Sequence, residues 1–157
     1  MTEYVLGFCF GPRLVTVLLI RKTRPEWQAG RLNGVGGKVK HGEAPAQAME
    51  REFREETGCG AELDWGQFGT LLSEGSSDVS RQRLVHLFHA VSPTSYFPVY
   101  EGPEGRTEVQ IVDSIVSKKV SGSLVLPNLR YLLPMALNHL RGDEASFLVV
   151  REEKEPC

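Results

Sequence analysis

In the stretch REFREETG, Arg51 to Gly58, the acids Glu52, Glu55 and Glu56 crowd together before a glycine. At 100° per residue, Glu56 lies about 40° and Glu55 about 300° from Glu52, so a helix here gathers all three carboxylates on one face. Glu52 and Glu56 repel at i,i+4 by roughly 0.2–0.5 kcal/mol, and the negative end of the helix dipole disfavours each acid by roughly 0.3–1 kcal/mol. A divalent cation would reverse both penalties. Carboxylate oxygens suit Mg²⁺ or Mn²⁺, and Mg²⁺ usually also keeps water and substrate phosphates. The plain alternative is a solvated acidic face held by Arg51 and Arg54. The preceding GVGGKVKHGE, Gly34 to Glu43, shifts the balance: its glycines let backbone approach a ligand closely, and Lys38 could hold a phosphate. Arg51, near 260° on the same projection, lies beside Glu55 and can pair with it, while Phe53, Met49 and Ala46 form the face to bury.

These acids need a framework. Pro45 suits a first helical turn and Gly58 a left-handed end, which predicts a helix over residues 45–57. Upstream, Tyr4 to Phe10 and Leu14 to Ile20 are short and rich in β-branched and aromatic residues. With Gly11-Pro12-Arg13 between them they predict a hairpin, followed by a polar, glycine-rich loop over residues 21–38 that leads into a short strand. Strands are expected at Leu63–Leu72, Arg83–Val91, Val109–Val116 and Phe147–Val150. The segment SPTSYFPVYEGPEGRT, residues 92–107, reads as a long loop of the kind that often carries function. LPNLRYLLPMALNHLRG has apolar residues at helical spacing and predicts a last helix with a kink at Pro134.

The 157-residue chain, with no repeat or linker, is expected to form one domain over residues 1–157. Its 18 Lys and Arg against 20 Asp and Glu give a net charge of -2, which offers nucleic acid or an anionic membrane no overall attraction. The odd trio Cys9, Cys59 and Cys157 lacks metal-type spacing and suits a reducing cytoplasm. Other chemistries fail on their own terms. Gly37-Lys38 is followed by Val39, so there is no P-loop. His86 and His89 fall on opposite faces of a strand, which rules against a zinc pair, and EGSSD lacks the glycine that a nucleophile elbow needs.

The pattern Gly37-x5-Glu43-x7-Arg51-Glu52-Phe53-x-Glu55-Glu56-x-Gly58-Cys59 fills every fixed position of the Nudix box, and the chain resembles the Nudix hydrolase family. The resemblance implies a Nudix-type α/β/α sandwich with a mixed β-sheet, and hydrolysis of a nucleoside diphosphate linked to another group with Mg²⁺ or Mn²⁺ as cofactor. Carried onto this chain, it makes Glu52 and Glu56 the principal metal ligands and the Gly36 carbonyl a further one. Glu55 would complete the metal site or act as general base, with Arg51 holding it, while Glu43 braces the loop. A later loop supplies the base in some members. Of Glu101, Glu104 and Glu108, the acid before the next expected strand, Glu108, is the candidate taken as an additional ligand.

GRLNGVGGK is also similar to the entry segment of the branch that removes oxidised purine nucleoside triphosphates. That likeness makes Asn33 and Trp27 candidates for contact with the base, beside Lys38, taken above as a phosphate contact, although the aspartate pair of that branch is not evident in EGPEGRTEVQ. Arg21, Lys22 and Arg24 could reach phosphates, but basic residues at a strand end usually face solvent. The implied partner is a nucleotide, not nucleic acid or a membrane, and a homodimer is left open. The expected reaction converts a nucleoside triphosphate to monophosphate and pyrophosphate. ADP-ribose or dinucleoside polyphosphate hydrolysis is the enzymatic alternative, and a non-catalytic nucleotide sensor the alternative of another class.

Overall fold

The structure, a computed structural model, describes residues 1–73 and 82–142. The expected strand at residues 147–150 lies outside them. Strand β1 (Thr2–Phe10) is the pivot of an eight-stranded mixed sheet. It runs parallel to β6 (Arg83–Val91) along its whole length, from Thr2 opposite Arg83 to Phe10 opposite Val91. Its other edge is shared. β4 (Val35–Lys38) pairs antiparallel from Tyr4–Lys38 to Gly7–Val35, and β2 (Thr16–Lys22) pairs at Cys9–Leu18 and Phe10–Val17. The expected hairpin is therefore present, closed by Gly11 donating to the Thr16 carbonyl at 3.0 Å. The short β3 (Leu32–Asn33) leans on β2, β5 (Gly66–Ser73) on β6, and β7 (Glu101–Gly102) on β8 (Gly105–Ile111).

Alternation along β2 sends its side chains to two cores. Val17 and Leu19 meet Phe8, Phe10, Leu32 and helix α3 (Leu129–Leu140) on one face; Leu18 and Ile20 meet Val5, Met49 and Phe53 of helix α1 (Pro45–Thr57) on the other. The chain is thus a sandwich of a mixed sheet between helical layers. Helix α1 has the expected limits. Pro45 opens it, the Gln47 side chain accepts from the Ala44 amide at 2.9 Å, and Gly58 ends it at φ 65° with its amide donating to the Arg54 carbonyl at 3.0 Å. Phe53 and Met49 are buried as expected, and full burial of a phenylalanine stabilises by roughly 1.5–3 kcal/mol. Ala46 is exposed, with Ala48 buried in its place, because the helix rests on β4 on the flank that carries Ala48.

The strand expected over Val109–Val116 is corrected. β8 starts four residues earlier, at Gly105, and residues 112–116 form the short helix α2 (Val112–Val116). Gly105 permits the early start, since at φ 151° a Cβ there would stand 2.1 Å from the Arg21 carbonyl oxygen. The strand stops where its partner does. Ile111 faces Thr16, the first residue of β2; one more cross-strand bond follows, Val112 donating to Val15 at 2.9 Å, and then the backbone turns to bond with itself, Ser117 donating to Asp113 at 2.9 Å. Strand β5 likewise begins at Gly66 rather than Leu63. His86 and His89 do separate: His86 Nε2 lies 2.7 Å from Glu3 Oε2, and His89 Nε2 2.5 Å from His139 Nδ1. No helix among the described residues is long and apolar enough to cross a membrane.

Candidate functional site

Helix α1 lays its acidic face beside β4 and the end of β2, and that crossing brings the site together. Glu56 is 2% exposed, with its Oε2 accepting from the Gly36 amide at 3.0 Å and its Oε1 3.4 Å from Lys22 Nζ. Burial pushes its carboxyl up to about 7 against the pull of Lys22 and the Gly36 amide, and Glu104 and Glu52 add to the rise. Glu52 is also raised, first by burial, with the charges of Glu55 and Glu104 adding to it and Arg51 opposing. Glu55 stays about half exposed, 3.3 Å from Arg51 and 3.8 Å from Lys40 Nζ.

Arg51 does more than hold Glu55. Its Nε and one terminal nitrogen grip both oxygens of Glu43 at 2.8 and 2.9 Å. The other terminal nitrogen reaches Glu52 at 2.6 Å, and a further bond goes to the Lys38 carbonyl at 3.0 Å. Glu43 also accepts from the Lys40 amide at 2.9 Å, so the loop before α1 is clamped to the helix. That fork, with the Lys40 amide, holds the Glu43 carboxyl down at about 2.

Several expected residues are placed elsewhere. Glu108 sits opposite Leu19, on the sheet face away from α1, and makes a two-pronged pair with Arg21 at 2.5 and 2.8 Å. Glu104 takes the place near the cluster, bonded to Lys22 and felt electrostatically by both Glu52 and Glu56. Lys38 faces Tyr4 across β1, which puts its side chain on the opposite face of β4 from Gly37 and leaves its carbonyl as the link to Arg51. Asn33 accepts from the Gly34 amide at 2.8 Å and lies 3.4 Å from Gln28, while Trp27 is 60% exposed on a single 3-10 turn, Glu26–Gln28. Lys22 is the residue that the sequence reading left in solvent; it is 5% exposed. Its signal was available, because Lys22 continues the alternation of Leu18 and Ile20, both buried toward α1.

Among the described residues no three His, Cys, Asp or Glu side chains form a ready metal cluster: Arg51 stands on Glu52, and Lys22 on Glu56. The donor set still suits a hard divalent ion. The candidate donors are all oxygens, the carboxyls of Glu52 and Glu56 are both raised, first by desolvation, and Gly37 leaves the Glu52 carboxylate its space. A Cβ on Gly37 would stand 2.4 Å from Glu52 Cδ. Gly37→Ala is therefore expected to push this carboxylate aside, cutting turnover roughly 10-fold or more with little change in melting temperature. Steady-state kinetics beside a thermal melt checks this; unchanged turnover would show that Glu52 needs no fixed position.

Two cavities, of about 390 and 130 Å³, meet at Leu18, Phe97 and Thr107, and neither is lined by the three glutamates. The smaller abuts α1 through Phe53 and Thr57.

A family model described as the NUDIX domain matches residues 4–114. The chain belongs to the Nudix family. Members generally work with divalent cations, and the chain is a Nudix hydrolase. Its fold is shared with the mutator MutT protein of Bacillus halodurans (TM-score 0.68, 17% identity, 99% of this chain and 92% of that one). It is also shared with the NUDIX domain of Shewanella oneidensis NrtR complexed with ADP ribose (TM-score 0.67, 16% identity, 88% and 87%) and with a C. elegans Ap4A hydrolase (TM-score 0.64, 16% identity, 90% and 99%). A comparison with curated protein sequences finds no match.

Proposed function

We infer that this Nudix hydrolase cleaves a nucleoside triphosphate to the monophosphate and pyrophosphate with Mg²⁺ or Mn²⁺, acting as one domain over residues 1–157 in the cytoplasm. The observation that carries the reading is a pair of carboxylates, Glu56 buried and Glu52 partly buried, held against the Gly36-Gly37 backbone with their proton affinities raised first by desolvation. Such a pair favours a bound divalent cation over water. Glu52 and Glu56, with the Gly36 carbonyl, would hold the metal, which when bound supplies charge neutralisation at the phosphates.

The chain's own residues do the rest. Glu55, about half exposed, is free to take the proton from the attacking water, and Arg51 orients it from one turn away. Glu104, rather than Glu108, is the loop acid assigned to the metal side, because it shares Lys22 with Glu56. Asn33 and Trp27 are assigned to the base. Lys38 reaches the substrate only from the far face of β4, so its proposed contact is the weakest of the set. Within the family resemblance, a triphosphate is favoured by the GRLNGVGGK segment; the oxidised purine is the finer form of the same proposal.

A panel of nucleoside triphosphates, ADP-ribose and dinucleoside polyphosphates with product analysis tests it. Monophosphate plus pyrophosphate from a triphosphate is expected, and turnover of ADP-ribose with inert triphosphates overturns the choice. Glu55→Gln is expected to lose at least roughly 100-fold in kcat, the usual worth of a general base. Near-normal turnover in that variant, with a comparable loss in Glu104→Gln, would transfer the role to Glu104.

A further inference from the structure

Lys22 is placed unlike a substrate-binding lysine. Strand β2 runs Leu18, Ile20, Lys22 toward α1, the first two entering the core, and the ammonium arrives between Glu56 on the helix and Glu104 on the turn between β7 and β8. Its own backbone is fixed on both sides: the amide donates to the Arg31 carbonyl at 2.9 Å, and the carbonyl accepts from Gly30 at 2.8 Å. At 5% exposure against a Glu56 at 2%, this is a buried ion pair, and leaving either charge alone there would be costly. The site therefore holds its own cation whenever no other is present.

We propose that Lys22 is a tethered counter-ion that competes with divalent metal for Glu56 and Glu104, so that the free enzyme binds metal weakly and takes it up together with the nucleotide's phosphates. The inference rests on the metal-dependent reading given above. The competition follows from geometry, since one oxygen of Glu56 is committed to the Gly36 amide and the other faces Lys22. A metal reaching Glu56 must displace the ammonium or sit beside a positive charge, and either weakens binding. A nucleotide removes the penalty, because its phosphates give the displaced ammonium a new anion and supply the metal with further oxygens. When products leave, Lys22 returns and the buried carboxylates are not left bare.

The test is Mn²⁺ binding to the nucleotide-free protein, followed by electron paramagnetic resonance of the free ion, in wild type and Lys22→Met. The variant is expected to bind Mn²⁺ at least roughly 10-fold more tightly than wild type, with the gap narrowing once a non-hydrolysable triphosphate is present. Equal or weaker binding in Lys22→Met overturns the proposal while leaving the metal-dependent hydrolase intact. No Mn²⁺ binding by either protein even with the nucleotide overturns both. Should the variant not fold, amine labelling of wild type with peptide mass spectrometry decides: saturating Mn²⁺ is expected to raise acetylation of Lys22 several-fold. Unchanged labelling with Mn²⁺ bound counts against displacement.

Discussion

Glu56→Gln is expected to lose at least roughly 1,000-fold in kcat/KM and at the same time to make the metal-free protein more stable at pH 8. The first effect follows from charge. The glutamine side chain can still accept from the Gly36 amide, so local structure is kept, but the site loses its buried anion and with it much of the attraction for a divalent cation. The second follows from linkage. The Glu56 carboxyl rises from 4.5 to about 7 on folding, so the folded state binds the extra proton more tightly than the unfolded chain. For a raised acid the native state gives up stability as pH climbs from the unfolded to the folded value, and above about 7 the whole penalty applies. A neutral glutamine removes that penalty, and Lys22 is not left alone because it keeps Glu104 as its partner. The gain is on the order of 1–3 kcal/mol at pH 8 in the presence of chelator, and it disappears below the unfolded value. Denaturant unfolding at pH 4 and pH 8, with chelator present, measures it. A variant less stable than wild type at pH 8 would show that Lys22 and the Gly36 amide more than offset the burial of this charge.

The sequence carried the helix and the acids plainly because their information is local. Pro45, Gly58 and the three-four spacing of Glu52, Glu55 and Glu56 are all contained in one turn-by-turn pattern. Partners separated by many residues were less legible. Arg51 was read against Glu55, its i+4 neighbour, whereas its stronger grip is on Glu43, whose position depends on how the loop returns along β4. The exchange of Glu108 for Glu104 has the same origin. With β8 starting at Gly105 rather than at Val109, Glu108 lies within the ladder to β2 instead of ahead of it. That register turns Glu108 to the α3 face and leaves Glu104 on the tight turn beside Lys22. Read as a loop acid just ahead of the strand, Glu108 had no assigned face; inside β8, opposite Leu19, its side chain is committed to the face away from α1. Lys22 was lost to a composition rule, that strand-end lysines face water, although its parity with Leu18 and Ile20 argued otherwise.

Arg51→Ala should destabilise the protein by roughly 1–3 kcal/mol at pH 7, a fall of roughly 3–10 °C in melting temperature, and lower kcat by on the order of 100-fold. The guanidinium is 20% exposed and Glu43 15%, so the pair is partly screened and falls short of the several kcal/mol that breaking a fully buried pair brings. Its effect on stability has a defined pH window. Glu43 is lowered from 4.5 to about 2 by the Arg51 fork first and by the Lys40 amide second. A lowered acid stabilises the native state fully above its unfolded value, and that contribution drains away as pH falls through the folded one. The difference between wild type and Arg51→Ala should therefore be large at pH 7 and shrink steadily from about pH 4.5 toward pH 2. Arg51→Lys keeps the charge but cannot make the fork, so it should recover part of the stability and little of the turnover. Glu43→Gln separates the two roles. It breaks the brace while leaving the Arg51 bonds to Glu52 and Glu55, so it should reproduce much of the pH-dependent stability loss with a smaller fall in kcat. Equal losses of kcat in the two variants would mean that Arg51 acts on catalysis through the loop clamp alone, and that its contact with Glu55 has no part in orienting the base.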